Sequence, residues 1–148
     1  MKSLEIRKTS DLIDLSDFTV NEDIEFSIKL KLHDDNLNYP IKIIHSKPGL
    51  SSNINVKIAL FGKSNLKMPV EIWVREGAKN TSTSFKATVY LMNEKAKAEV
   101  TPGLFIHEKD IQSAGHGVII KNIKEKDTFY LQSRGLEQEI AKEMIIGI

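Results

Sequence analysis

Ile24-Glu25-Phe26-Ser27-Ile28-Lys29-Leu30-Lys31-Leu32 alternates apolar and polar residues without a break. A β-strand turns successive side chains to opposite faces, so this stretch reads as a strand with one buried face. The same alternation returns at Ile54, Val56, Ile58 and Leu60, and at Val70, Ile72 and Val74. It returns again at Phe85, Ala87, Val89 and Leu91, at Ala96, Ala98 and Val100, at Leu104 and Ile106, and at Val118 and Ile120. Ile41–Ile44 fits one further short strand. Turn-forming residues separate these runs: Asp34-Asp35-Asn36, Lys47-Pro48-Gly49, Gly62-Lys63-Ser64-Asn65, Glu76-Gly77-Ala78 and Thr101-Pro102-Gly103. With no helix between them, the strands exclude a wound α/β fold and leave a sandwich, a barrel or a solenoid. Asn-Gly and Asp-Gly hairpin turns are absent, and no clean fixed repeat period emerges. Pattern alone therefore leaves sandwich and β-helix open.

Composition sets the outer limits. A chain of 148 residues suits one domain, and 41% hydrophobic with 28% charged residues is ordinary for a globular protein. Lys plus Arg number 21 against 20 Asp plus Glu, a balance without the footprint of a nucleic-acid-binding protein. The chain has no cysteine, which removes disulfides, thiolate metal sites and cysteine nucleophiles. No stretch approaches the roughly 20 apolar residues of a membrane span, and Met1–Lys8 does not resemble a signal peptide, so a soluble, cytoplasmic protein is expected.

The ends differ from the middle. Residues 1–20 are ambiguous between strand and helical turn and could form a cap or an edge of a β body spanning 1–123. In the segment 124–148, Asp127 is placed to cap a short helix, Thr128 to Arg134, ended by Gly135. Leu136, Ile140, Ala141, Met144 and Ile145 then form one helical stripe, so the tail reads as two short helices.

Several motifs invite a chemical reading. Gly62-Lys63-Ser64 resembles the end of a phosphate-binding loop, but the required upstream glycine position holds Lys57 and Pro69 follows, so a turn is expected. His107, Glu108, Asp110 and His116 lie close in sequence, in no standard metal-ligand spacing. His107 has the parity of a solvated residue. His116 shares parity with Val118 and Ile120 and is readable either as a structural or interface histidine or as a ligand. No Ser/His/Asp constellation can be placed, which argues against an enzyme. Trp73 has outward parity and could mark a contact surface.

From Trp73 onward the order of features becomes specific. Val74-Arg75-Glu76-Gly77-Ala78 precedes the Phe85–Leu91 strand, and Thr101-Pro102 follows. Next come Leu104-Phe105-Ile106-His107, Lys109-Asp110-Ile111-Gln112, Ala114-Gly115-His116-Gly117 and Phe129-Tyr130-Leu131-Gln132-Ser133-Arg134-Gly135-Leu136. Over roughly Val70 to Gly147 this order resembles the core domain shared by SufB and SufD, scaffold proteins of the SUF iron–sulfur cluster assembly system. The resemblance implies a right-handed parallel β-helix with a short C-terminal two-helix tail. It further implies cores that pair through the ends of their β-helices, here as a homodimer or with a cysteine-bearing SufB-like scaffold. Phe129, Tyr130, Arg134 and Gly135 are then candidates for docking a SufC-like ATPase. His116, flanked by Gly115 and Gly117, falls at a family position implicated in cluster assembly, and is the one candidate for contact with iron.

The departures are specific too. Family members carry cysteine on the strand matching Phe85–Leu91 or just before the histidine, where this chain has Ala87 and Ser113-Ala114. Clusters are held mainly by thiolates, so no stably bound cofactor is expected, only a transient cluster in complex with a partner. The resulting expectation is a scaffold or partner subunit without thiolate ligands. The alternative is a β-helical interaction module that has lost cluster chemistry.

Overall fold

The structure, a computed structural model, describes residues 2–123 together with Gly135, Glu137 and Ile140. The expected helices of the tail, and with them Phe129, Tyr130 and Arg134, lie outside the described residues. The chain passes alternately between two parallel sheets. One contains β1 (Lys2–Ile6), β3 (Ile24–His33), β6 (Ser51–Phe61), β8 (Ser82–Leu91) and β10 (Ser113–Asn122), in that spatial order. The other contains β2 (Phe18–Thr19), β4 (Asn36–Asn38), β5 (Ile41–His45), β7 (Asn65–Val74) and β9 (Lys97–Ile106). Both β4 and β5 pair with β7 on one side, and β9 pairs with it on the other. Each coil thus adds one layer to each sheet, β4 and β5 together forming one such layer, the topology of a parallel β-helix. Parallel crossover connections of this kind favour a right-handed sense.

The alternation read from sequence becomes the core directly. Ile24, Phe26, Ile28, Leu30 and Leu32 are buried, as are Ile54, Val56, Ile58, Phe85, Ala87 and Val89 in the strands stacked beside them. From the opposite sheet, Ile41, Ile43, Leu66, Met68, Val70 and Ile72 meet them in the same apolar cluster. In-register columns run from coil to coil: Phe26 pairs with Ile54, Ile54 with Phe85, and Phe85 with His116.

The repeat period is real but drifts, which hides it in the sequence. Asp23 and Ser51 make a corner contact 28 residues apart, Asp35 and Ser64 one at 29, and Ser52 with Thr83 and Ser82 with Ser113 both at 31. Corners stack too. Gly49 N–H donates to the Lys79 carbonyl, and Asn80 N–H to the carbonyl of Asp110 in the next coil. At the opposite corner Lys63 N–H donates to Asp34 Oδ1 (2.8 Å) and Gly62 N–H to Asn93 Oδ1 (2.6 Å). Gly62 has φ +67°, and a Cβ there would collide with the Asp34 carboxylate, so this corner requires glycine. The Gly62-Lys63-Ser64 segment is a turn, as its sequence implied.

Prolines explain one departure from the expected strand boundaries and one boundary that matches them. Ala96–Val100 and Leu104–Ile106 form one continuous strand, β9, running through Thr101-Pro102-Gly103. Pro102 is tolerated because β9 is an edge strand, paired only with β7 among the described residues, so one side of its backbone needs no donor. Pro40 falls in the gap between β4 and β5, level with Pro69 of β7; two residues without N–H groups face each other, and the ladder breaks there. Residues 2–20 contain both expected alternatives: β1 pairs in parallel with β3, and a 3₁₀ turn follows at Thr9–Asp11.

Candidate functional site

The last coil, β9 and β10, has nothing stacked beyond it among the described residues. Its inward row therefore keeps the core pattern without core burial. Val89 is fully buried, whereas Ile120 in register with it is 43% exposed, and Ile106 on β9 is 40% exposed. His116 continues the column Phe26–Ile54–Phe85 and is itself exposed. A strand edge with free N–H and C=O groups and a half-exposed apolar row is a template for pairing.

Gly115 and Gly117 flank His116 on the outward row. A Cβ at either would meet nothing within 4 Å, and neither backbone is left-handed. No contact inside the chain demands glycine there. What these glycines do leave is room: an open depression of about 490 Å³ lies between Ser84, Lys86 and Thr88 of β8 and Gly115, Gly117 and Ile119 of β10, with His116 at its margin.

The other histidine-centred candidates separate in space. His107 is exposed and stacks on Trp73, rings 5.8 Å apart and 11° from parallel. Trp73 is outward-facing and half-buried, stacked at 4.5 Å on Phe105, with Lys42 Nζ 5.3 Å from its ring. Glu108 does corner work: it accepts the N–H groups of Gly77 (3.0 Å), Lys109 (2.8 Å) and Asp110 (3.2 Å). Those bonds, Gly77's first, hold its carboxyl below the usual range. Among the described residues no three His, Asp or Glu side chains gather as a metal-binding group.

His45 is the chemically distinctive residue that sequence reading passed over. It ends β5 on the inward parity of Ile41 and Ile43, and that parity was the available signal. The ring is fully buried. Its Nε2 lies 2.7 Å from Ser52 Oγ, which lies 2.7 Å from Thr83 Oγ1, so a short polar relay crosses three strands inside the core. Nδ1 has no partner. An unpaired acceptor costs less than an unpaired donor, so the favoured tautomer donates from Nε2 and leaves Nδ1 as a bare lone pair. Burial pushes the ring's pKa down to about 4.

A parallel β-helix with an apolar, histidine-bearing open edge is the class that fold and site define. Residues 26–147 match the family described as SUF system FeS cluster assembly, SufBD core domain. The chain belongs to that family. It is similar to an iron–sulfur cluster assembly SufBD family protein of Mycobacterium tuberculosis, 30% identical over 105 residues, covering 71% of this chain and 12% of the relative. It is also similar to the iron–sulfur cluster assembly protein SufD of Bacillus subtilis, 30% identical over 73 residues, covering 49% of this chain and 16% of SufD. A SufBD family protein of Pyrococcus horikoshii is 38% identical over 69 residues, covering 47% and 15% of the two chains. The chain thus spans less than a fifth of the length of these relatives. Among the described residues no helix is long and apolar enough to cross a membrane.

Proposed function

We propose that this chain serves iron–sulfur cluster assembly as a scaffold or partner subunit that supplies an interface rather than thiolate ligands, and that it is not an enzyme. The observation that carries this reading is the last coil: an edge strand, a half-exposed apolar row and a histidine in core register, all at one end. A second β-helix end laid against it, from a copy of this chain or from a cysteine-bearing relative, would bury Ile106 and Ile120 and satisfy the free edge. The relatives' names and the family match support the process; the mode of pairing and the partners are inferred.

Iron and sulfide are cargo in this reading. One neutral imidazole can offer one nitrogen, and a cluster needs several ligands, so thiolates must come from the partner. His116 lies at the junction, where it can accept or donate a hydrogen bond across the pair or add one ligand to a cluster assembled there. A SufC-like ATPase docking on the segment holding Phe129, Tyr130, Arg134 and Gly135 belongs to the same proposal. Anaerobic reconstitution with iron and sulfide tests it. The chain alone should yield no stable cluster spectrum, and a mixed complex with a cysteine-bearing relative should yield one that weakens with His116→Ala. A stable cluster on the isolated chain would contradict the proposal. Unchanged assembly by His116→Ala, with the mixed complex intact, would favour the bare interaction module instead.

A further inference from the structure

The outward face of the sheet formed by β1, β3, β6, β8 and β10 carries a cluster of lysines, one of which, Lys86, also borders the depression beside Gly117. Two rows cross β3, β6 and β8 in register: Ser27, Asn55 and Lys86 in one, Lys29, Lys57 and Thr88 in the other. Lys29 and Lys57 are direct cross-strand neighbours, and Lys86 sits diagonally from Lys57 on the next strand. Neighbouring strands are about 4.8 Å apart, so three ammonium groups share a small area, and like charges directly opposite destabilise a sheet. Glu5 partly offsets one end, 3.7 Å from Lys29 Nζ and 2.8 Å from Arg7. Lys57 and Lys86 have no carboxylate within ion-pair distance among the described residues. The six side chains border one shallow depression of about 270 Å³.

We propose that this depression is an oxyanion site for a phosphoryl group, borne by a small phosphate or pyrophosphate ligand. Three ammonium groups, two hydroxyls and an amide surround it, a donor set suited to an anion with several terminal oxygens. A sheet that keeps an in-register lysine pair with one shared carboxylate at its edge, in a chain of formal net charge +1, pays locally for something, and a bound anion would remove the remaining repulsion. The two rows hold no aromatic side chain on which a base could stack, which disfavours single-stranded nucleic acid. Lysine ammoniums on flexible stems suit a multiply charged, roughly spherical anion better than a flat carboxylate, which favours phosphate over an acidic peptide.

Titration calorimetry at low ionic strength, with thermal melting alongside, tests the site on the whole chain. Pyrophosphate, inorganic phosphate, polyglutamate and an RNA oligonucleotide are the probes, with acetate at matched ionic strength as the control. Pyrophosphate or phosphate should bind saturably and raise Tm, and Lys57→Gln with Lys86→Gln together should weaken binding at least about tenfold. Lys47→Gln with Lys109→Gln, at the corners, should leave it unchanged. Without ligand, the Lys57→Gln chain should melt no lower than the parent, because it relieves repulsion. No saturable phosphate or pyrophosphate binding overturns the proposal. So does equal binding by the two double variants, or tighter binding of polyglutamate or RNA than of pyrophosphate.

Discussion

Strands β8 and β10 are neighbours with matching alternation, and their fates differ. Phe85, Ala87 and Val89 are sealed between coils, while His116, Val118 and Ile120, in register with them, are half-buried or exposed. The difference comes from position in the stack: β8 has a strand on either side, whereas β10 is paired on one side only among the described residues. In this solenoid the same residue pattern is buried in one coil and exposed in the next. Burial is therefore greatest in the middle coils, and apolar exposure greatest at the last one described.

The sharpest break between the two regions comes from truncating a register pair. Phe85→Ala should cost about 3–5 kcal/mol of stability, because a large ring is lost from a packed interior. His116→Ala, one strand away, should stay within about 0.5 kcal/mol in the monomer. Urea denaturation of both variants under dissociating conditions checks the contrast; comparable losses would make β10 part of the core.

Acid sharpens the comparison next. His45 is neutral in the folded interior with a pKa near 4, against 6.5 when unfolded. The unfolded chain therefore binds a proton first, and stability is lost as pH falls from about 6.5 to about 4, then levels. The full loss is about 3 kcal/mol. Unfolding free energy against pH should show this slope in the parent chain and lack it in His45→Gln. Parallel curves would show that the ring is hydrated.

Glycines give a smaller contrast. Gly62→Ala should cost about 1–2 kcal/mol, since a left-handed φ and the Asp34 carboxylate both oppose a Cβ. Gly117→Ala has open space and an ordinary backbone, and should leave the monomer unchanged within about 0.5 kcal/mol while weakening pairing. Thermal melts of the two variants at low protein concentration measure the first effect, and dimer dissociation the second.

Much of this was legible before the fold was seen. Ile24–Leu32 and Phe85–Leu91 announced half-buried strands because a two-residue period has one structural meaning. The choice of a solenoid came from the family-like order of motifs after Trp73, since from β3 onward the coil repeat drifts from 28 to 32 residues and no fixed period stands out. Pro102 misled the strand boundaries: local turn chemistry was read correctly, but an edge strand can absorb a missing N–H. The exposure of Ile120 could not be read at all, because alternation tells which face a residue takes and not whether another coil covers it. His45 was readable by parity, its partners Ser52 and Thr83 only through the register.

Under the proposed function, the last coil is a pairing surface. Light scattering at tens of micromolar, an ordinary range for weak association, tests it most directly. The parent chain should show a dimer mass, and Ile120→Lys a monomer mass with an unchanged circular dichroism spectrum. A monomeric parent chain, or a dimer that Ile120→Lys leaves intact, would contradict it.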